Sequence, residues 1–166
     1  MNTVKPVLHF ICGKIASGKT TLARKIANDT GAIFICEDEW LSKLYADDIK
    51  SFEDYIKYTN RMKTLLYSHV GQLLKKNISV VFDFAGNTPN HRKWVRSVFE
   101  FAEANHKLYV LDVSDAECKK RLAQRNVDKP EGLYWGVSPT EADYDLITKY
   151  FSKPSVEEGF NLENVE

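Results

Sequence analysis

What the chain has little of narrows it first. Its 166 residues hold three cysteines, Cys12, Cys36 and Cys118, and no two stand in a CxxC pair. An odd, scattered set argues against a disulfide framework and against a cysteine zinc site. The histidines His9, His69, His91 and His106 show no metal-ligand spacing. An excess of one charge is missing too: 23 basic residues face 23 acidic ones, for a formal net charge of zero. A dedicated duplex-DNA binder normally carries a basic excess, so that class is disfavoured, while a local basic pocket is not. No apolar run approaches the ~20 residues of a membrane span. The opening MNTVKPVLHFICG is too short in apolar residues and too poorly flanked for a signal peptide. Internal repeats, low-complexity runs and linkers are absent. The expectation is one cytoplasmic domain over residues 1–166, with 43% hydrophobic and 28% charged residues, enough for a real core.

What is present is an alternation of apolar runs and amphipathic segments. Val7–Cys12, Ala32–Cys36, Ser79–Phe84 and Lys107–Val113 read as four buried strands. Lys19–Asn28 places Leu22, Ala23, Ile26 and Ala27 on one helical face and is stopped by Gly31. A polar helical stretch follows the EDEW cluster to about Asp47. Ser51–Lys76 is the longest periodic segment, with Phe52, Tyr55, Ile56, Thr59, Met62, Leu66, Val70 and Leu73 at 3–4 spacing. Thr88-Pro89 reads as the cap and first residue of a helix whose face is Trp94, Val95, Val98, Phe99 and Ala102. Ser114 with Glu117, and Ser138 with Glu141, read as capping boxes of two more helices, the second reaching about Tyr150. From Phe151 onward the chain reads as an irregular acidic tail. The fold class this implies is α/β, a three-layer arrangement of a parallel sheet flanked by helices on both faces.

Gly13–Thr20, GKIASGKT, matches GxxxxGK[ST] in full, with a strand before it and a helix after it. Glycines let the backbone curl so that N–H groups converge on phosphate oxygens, and the helix N-terminus adds partial positive charge. The expected nucleotide contacts are Gly13, Lys14, Ile15, Ala16, Ser17, Gly18, Lys19, Thr20 and Thr21. Lys19 would reach the β- and γ-phosphates, and the Thr20 hydroxyl would sit on Mg2+. ATP and Mg2+ are the cofactors implied.

In open α/β sheets ligands lie beyond the carboxyl ends of the strands. Asp83 ends the third strand, where it holds Mg2+ as a Walker-B-like acid or orients the acceptor. Glu37, Asp38 and Glu39 follow the second strand. One of them is a general base for an acceptor hydroxyl, or the three form a solvated helix N-terminus. Arg121 and Arg125 are four apart and share a helical face. They suit the negative charge that develops in phosphoryl transfer, and Lys119, Lys120 and Lys129 add to the local positive charge. Tyr45, Phe52, Tyr55 and Tyr58 line an acceptor pocket or the core, and their helical spacing favours the core. Arg61 and Arg92 are weaker candidates for acceptor contacts.

The strand–loop–helix, the D-x-aromatic of Asp38-Glu39-Trp40, the hhhD…N of Asp83 and Asn87, and the RLxxRN of Arg121–Asn126 together resemble the small P-loop kinases. The chain is similar to polynucleotide 5′-kinases, zeta-toxin-type kinases and chloramphenicol phosphotransferase, and more closely to the bacterial ATPase/kinase-like proteins grouped with them. The resemblance runs from Val7 to about Gly159. It implies Asp38 as catalytic base and substrate contact, Asp83 on the metal, and Asn87 on the acceptor side. It also implies that Arg121 and Arg125 act under a lid of about residues 126–138, on which Tyr134 and Trp135 stand. Polynucleotide kinases place an arginine directly after the aromatic, where this chain has Leu41.

The leading expectation is therefore an ATP-dependent kinase acting on a hydroxyl of an unidentified small-molecule or nucleotide acceptor. The alternatives are a nucleotide-binding regulator with slow ATPase activity, and a polynucleotide 5′-kinase. Nucleic acid is a less favoured partner given Leu41 and the neutral charge, and no membrane partner is expected. A remodelling ATPase is disfavoured, because Asp83 is followed by Phe84 rather than glutamate and little chain follows Tyr150. The guanine-selecting NKxD is also absent.

Overall fold

Val7–Cys12 is apolar except for His9, so it can be covered on both faces, and it becomes the central strand β1. The structure, a computed structural model, describes residues 4–128 and 139–165. Strands β2 (Ile33–Cys36), β3 (Val80–Ala85), β4 (Asn105–Leu111) and β5 (Leu162–Val165) join β1 in one sheet of order β2-β3-β1-β4-β5. Every pairing is parallel. Side-chain alternation sends Leu8, Phe10, Val80, Phe82, Leu108 and Val110 to one face and Ile11, Val81, Tyr109 and Leu111 to the other.

The first face is covered by three helices, α2 (Glu37–Tyr45), α3 (Phe52–Lys75) and α4 (Pro89–Phe101). The second is covered by α1 (Lys19–Thr30) through Ala23, Ile26 and Ala27. Gly31 ends α1 at φ 71°, a left-handed conformation that glycine adopts without strain. Helices α5 (Asp115–Asp128) and α6 (Glu141–Thr148) build a smaller cluster from Cys118, Leu122 and Tyr144 against Ile15 and Ala16. Caps fall where the polar residues predict: Ser51 accepts from Asp54 N, Thr88 from His91 N, and Ser114 from Glu117 N.

Three expectations need correction. The segment after Phe151 is not irregular throughout, because it holds β5 at the sheet edge. The cap of α6 is Thr140, which exchanges bonds with Asp143, while Ser138 lies outside the described residues. The inward face of α3 ends on Leu74 rather than Leu73, and Ile56 is exposed. Of the expected lid, residues 129–138, with Lys129, Tyr134 and Trp135, lie outside the described residues. No helix among the described residues is long and apolar enough to cross a membrane.

Candidate functional site

The loop between β1 and α1 is shaped by close approach. A Cβ on Gly13 would stand 2.5 Å from Ser17 Oγ and 3.1 Å from Leu111 Cβ, so only glycine fits. Ala16 and Gly18 both take positive φ, 58° and 101°, which turns the chain tightly into α1. The Ser17 hydroxyl is buried and has no hydrogen-bond partner among the described residues. A buried orphan hydroxyl inside a curl of glycines is what a bound oxyanion would satisfy. Lys19 folds back over this curl, its Nζ donating to Gly13 O at 2.8 Å and Lys14 O at 2.7 Å. Burial holds the Lys19 ammonium below its usual pKa, and the carboxylates of Asp83 and then Asp38 oppose that shift.

Asp83 owes its position to an irregularity in β3. Phe10 pairs with Phe82 and Ile11 with Ala85, so Asp83 and Phe84 have no partner on β1. Such a bulge re-aims side chains beside a functional site. Asp83 is buried opposite Cys36, whose thiol donates to its Oδ2 at 3.3 Å. Desolvation first and the Asp83 charge second push the Cys36 thiol up to about 12, so it stays protonated as a donor.

Asp38 lies in the first turn of α2, directly after β2. Burial and then Asp83 raise its carboxyl to about 6, against the opposing pull of Lys19 and Arg125. Arg125 therefore stands within electrostatic reach of the same carboxylate. Arg121 Nη1 bonds Ser17 O at 3.3 Å, and its Nε bonds Glu117 at 2.8 Å. An open depression of about 480 Å3 runs along this side of α5, lined by Arg121, Gln124 and Arg125 among others. The structure thus gathers Lys19, Asp38, Asp83, Arg121 and Arg125 around one loop.

Other expected contacts take structural work. Asn87 turns its carboxamide to the loop backbone, accepting Gly13 N–H at 2.9 Å and donating to Gly13 O at 2.8 Å. It braces the loop. Lys14 is paired with Asp115 at 2.6 Å, and Asp115 also accepts from Tyr144 OH at 2.8 Å. Lys119 bridges to Glu141 and Asp145 on α6, so it does not thicken a free positive patch. Arg92 is not at the surface: it is fully buried and makes a two-pronged pair with Glu158. Arg61 lies over the Tyr58 ring, and Tyr58 stacks on Tyr45 against the core. Leu41 is also fully buried, so this position of α2 faces the core.

Glu37 departs from the solvated helix N-terminus expected of the carboxylates after β2. Glu37 is 4% exposed, and burial raises its carboxyl to about 7 against the opposing charge of Lys63. The signal was available, since Glu37 and Leu41 are four apart and share the buried face of α2.

The donor set also suits a small divalent cation. Thr20 and Asp83 offer hard oxygens. Mg2+ typically takes one or two protein oxygens and completes its shell with phosphates and water. No cluster of three or more His, Cys, Asp and Glu side chains forms a protein cage among the described residues.

The family described as AAA domain matches residues 8–142. No curated protein matches the chain in sequence. Solved structures share its fold at low identity. A protein from Chloroflexus aurantiacus j-10-fl, provisionally assigned as a kinase, superposes with a TM-score of 0.77 at 16% identity, covering 99% of this chain and 86% of that one. Chaetomium thermophilum Kti12 in complex with ADP-AlF3 gives 0.69 at 15% identity, with 95% and 88% covered. The Mycobacterium tuberculosis APS kinase CysC in complex with AMPPNP and APS gives 0.57 at 19% identity, with 92% and 85% covered. The architecture is that of a P-loop kinase-like nucleotide-binding fold.

Proposed function

The chain belongs to the AAA domain family, and on that premise we propose that it is an ATP-dependent phosphotransferase that hands the γ-phosphate to a hydroxyl of a small-molecule or nucleotide acceptor. The observation that carries this reading is Asp38: a carboxyl in the first turn of α2, raised to about 6 by burial and then by Asp83, and in the field of Lys19 and Arg125. A base poised close to the working pH is suited to removing a proton during transfer.

The loop amides from Gly13 to Thr21 and the Ser17 hydroxyl would receive the phosphate oxygens. Lys19 would exchange its two carbonyl partners for the β- and γ-phosphates. Thr20 and Asp83 would hold Mg2+, which when bound offsets the charge on those oxygens. The acceptor oxygen forms a bond to the γ-phosphorus as the bond to the β–γ bridging oxygen breaks. ADP leaves with that electron pair, and the acceptor proton passes to the Asp38 carboxylate. Arg121 and Arg125 oppose the charge that spreads over the transferring group. Asn87 holds Gly13 in register throughout.

The test is γ-labelled ATP offered with hydroxyl acceptors, among them nucleosides, oligonucleotides, nucleotide sugars and aminoglycosides. Transfer of label that Asp38→Ala abolishes supports the reading. ATP binding without transfer to any acceptor, with turnover indifferent to Asp38→Ala, overturns it in favour of a nucleotide-binding regulator.

A further inference from the structure

Outside the glycine loop, the feature with the most unassigned chemistry is a groove of about 630 Å3 between α3 and α4. We propose that this groove seats the acceptor, and that the acceptor is an anionic hydroxyl compound whose phosphate or carboxylate rests on Lys63. This deepens the kinase reading above and rests on it.

The floor of the groove is Lys63, only 9% exposed, with its ammonium 5.4 Å from the centre of the Trp94 ring. A lysine this deep is uncommon without a full partner. Burial holds the Lys63 ammonium below its usual pKa, and the buried carboxyl of Glu37 opposes that shift. An anion from solvent beside the ammonium would favour its charged form further. The rim strengthens the bias. Asn60 and Thr64 stand on either side of Lys63 along α3, and Asn90 and His91 face them from the first turn of α4. The amides of Asn60 and Asn90 can donate hydrogen bonds into the groove, while the Thr64 hydroxyl already donates to Asn60 O and His91 Nδ1 to Ala85 O, and no lining residue is acidic. That is selective in a chain with as many acids as bases.

Placement connects the groove to the chemistry. His91 is fixed by a 2.7 Å bond from Nδ1 to Ala85 O, at the end of β3 and two residues past Asp83. Glu37 is the immediate neighbour of Asp38. The groove is thus linked through His91 to the end of the strand that carries Asp83, and through the charge interaction of Lys63 with Glu37 to the residue beside Asp38. The arginines of α5 follow β4, on the other side of β1 in the sheet order. Nucleotide and acceptor would approach from opposite sides of the loop after β1, as an in-line displacement requires.

The experiment uses matched acceptor pairs that differ by one anionic group: adenosine and AMP, ribose and ribose 5-phosphate, glucose and glucose 6-phosphate. Binding to the full chain loaded with a non-hydrolysable ATP analogue is read by calorimetry, beside label transfer from ATP. The expected result is that at least one anionic member binds while its neutral partner does not. Lys63→Met should weaken that binding about ten- to a hundredfold, the worth of a charge-assisted hydrogen bond, and Lys63→Arg should restore part of it. Asn60→Asp, an exposed change that leaves the core intact, should weaken it as well. Anionic members binding no better than neutral ones, or nothing binding at all, overturns the proposal, as does indifference to both Lys63→Met and Asn60→Asp. Transfer to neutral acceptors alone would sink the groove assignment and leave the kinase reading standing. Failure of the wild-type chain to bind the ATP analogue would sink the kinase reading itself.

Discussion

Asn87 and Gly13 exchange two hydrogen bonds across 74 residues of chain, the Asn87 carboxamide meeting both polar groups of the glycine. The loop after β1 is thereby tied to the turn after β3, and its curl does not rest on glycine freedom alone. Asn87→Ala should remove both bonds, worth about 0.5–1.5 kcal/mol each, and weaken ATP-analogue binding about five- to a hundredfold. Calorimetry checks this. Unchanged affinity would show that the loop keeps its shape without the brace.

Gly13→Ala tests the same loop from the other side. The added Cβ would meet Ser17 Oγ at 2.5 Å and the backbone-linked Leu111 Cβ at 3.1 Å, and one of them must shift. The expected outcome is loss of ATP-analogue binding with the circular dichroism spectrum retained. A variant that binds normally would contradict the cradle geometry.

The acid side of the pH profile should follow Asp38. Its carboxyl is raised to about 6, so it is protonated and unable to act as base below that pH. Transfer measured as kcat/KM should rise with pH through about 6 and level off above it. A profile flat from pH 5 to 7 would remove Asp38 from the base role.

Glu37 gives a stability test with a defined sign. Its pKa is raised from about 4.5 unfolded to about 7 folded, so the folded protein holds the proton more tightly. The stability this contributes is fully present below about pH 4.5 and is lost as pH rises through about 7. Glu37→Gln, neutral throughout, should gain in Tm relative to wild type at pH 8 and gain less at pH 5. An equal shift at both pH values would contradict a buried, proton-linked carboxyl.

Arg92 should matter for folding more than for chemistry. It pairs with Glu158 through two bonds of 2.7 Å and also donates to Gly86 O and Ser152 O. Arg92 is fully buried while Glu158 is 25% exposed, so Arg92→Ala should cost about 3 kcal/mol in denaturant unfolding, the low end for a buried pair. A cost below about 1 kcal/mol, the range of exposed pairs, would contradict the geometry.

These residues also mark what the sequence could and could not reveal. The glycine loop, Asp83 and the first four strands were legible because apolar runs and fixed spacings are local signals. Asp38 was singled out by its motif, while Glu37 was left to the solvated helix N-terminus although its spacing to Leu41 carried the information. The pairing of Arg92 with Glu158 and of Asn87 with Gly13 was not legible, because the partners lie 66 and 74 residues away and only the tertiary fold brings them together. Strand β5 was hidden for another reason. LENV lies at the sheet edge, half-exposed, and Glu163 pairs there with Lys107, so no continuous apolar run announces it.

The central claim is that the γ-phosphate goes to a hydroxyl and not to water. Turnover of ATP in 18O-labelled water, with the acceptor panel present, measures this directly by mass spectrometry. The account predicts a phosphorylated acceptor free of 18O, with little labelled inorganic phosphate, and loss of the acceptor product in Asp38→Ala. All of the γ-phosphate appearing as 18O-labelled inorganic phosphate, at a rate unchanged in Asp38→Ala, would contradict it.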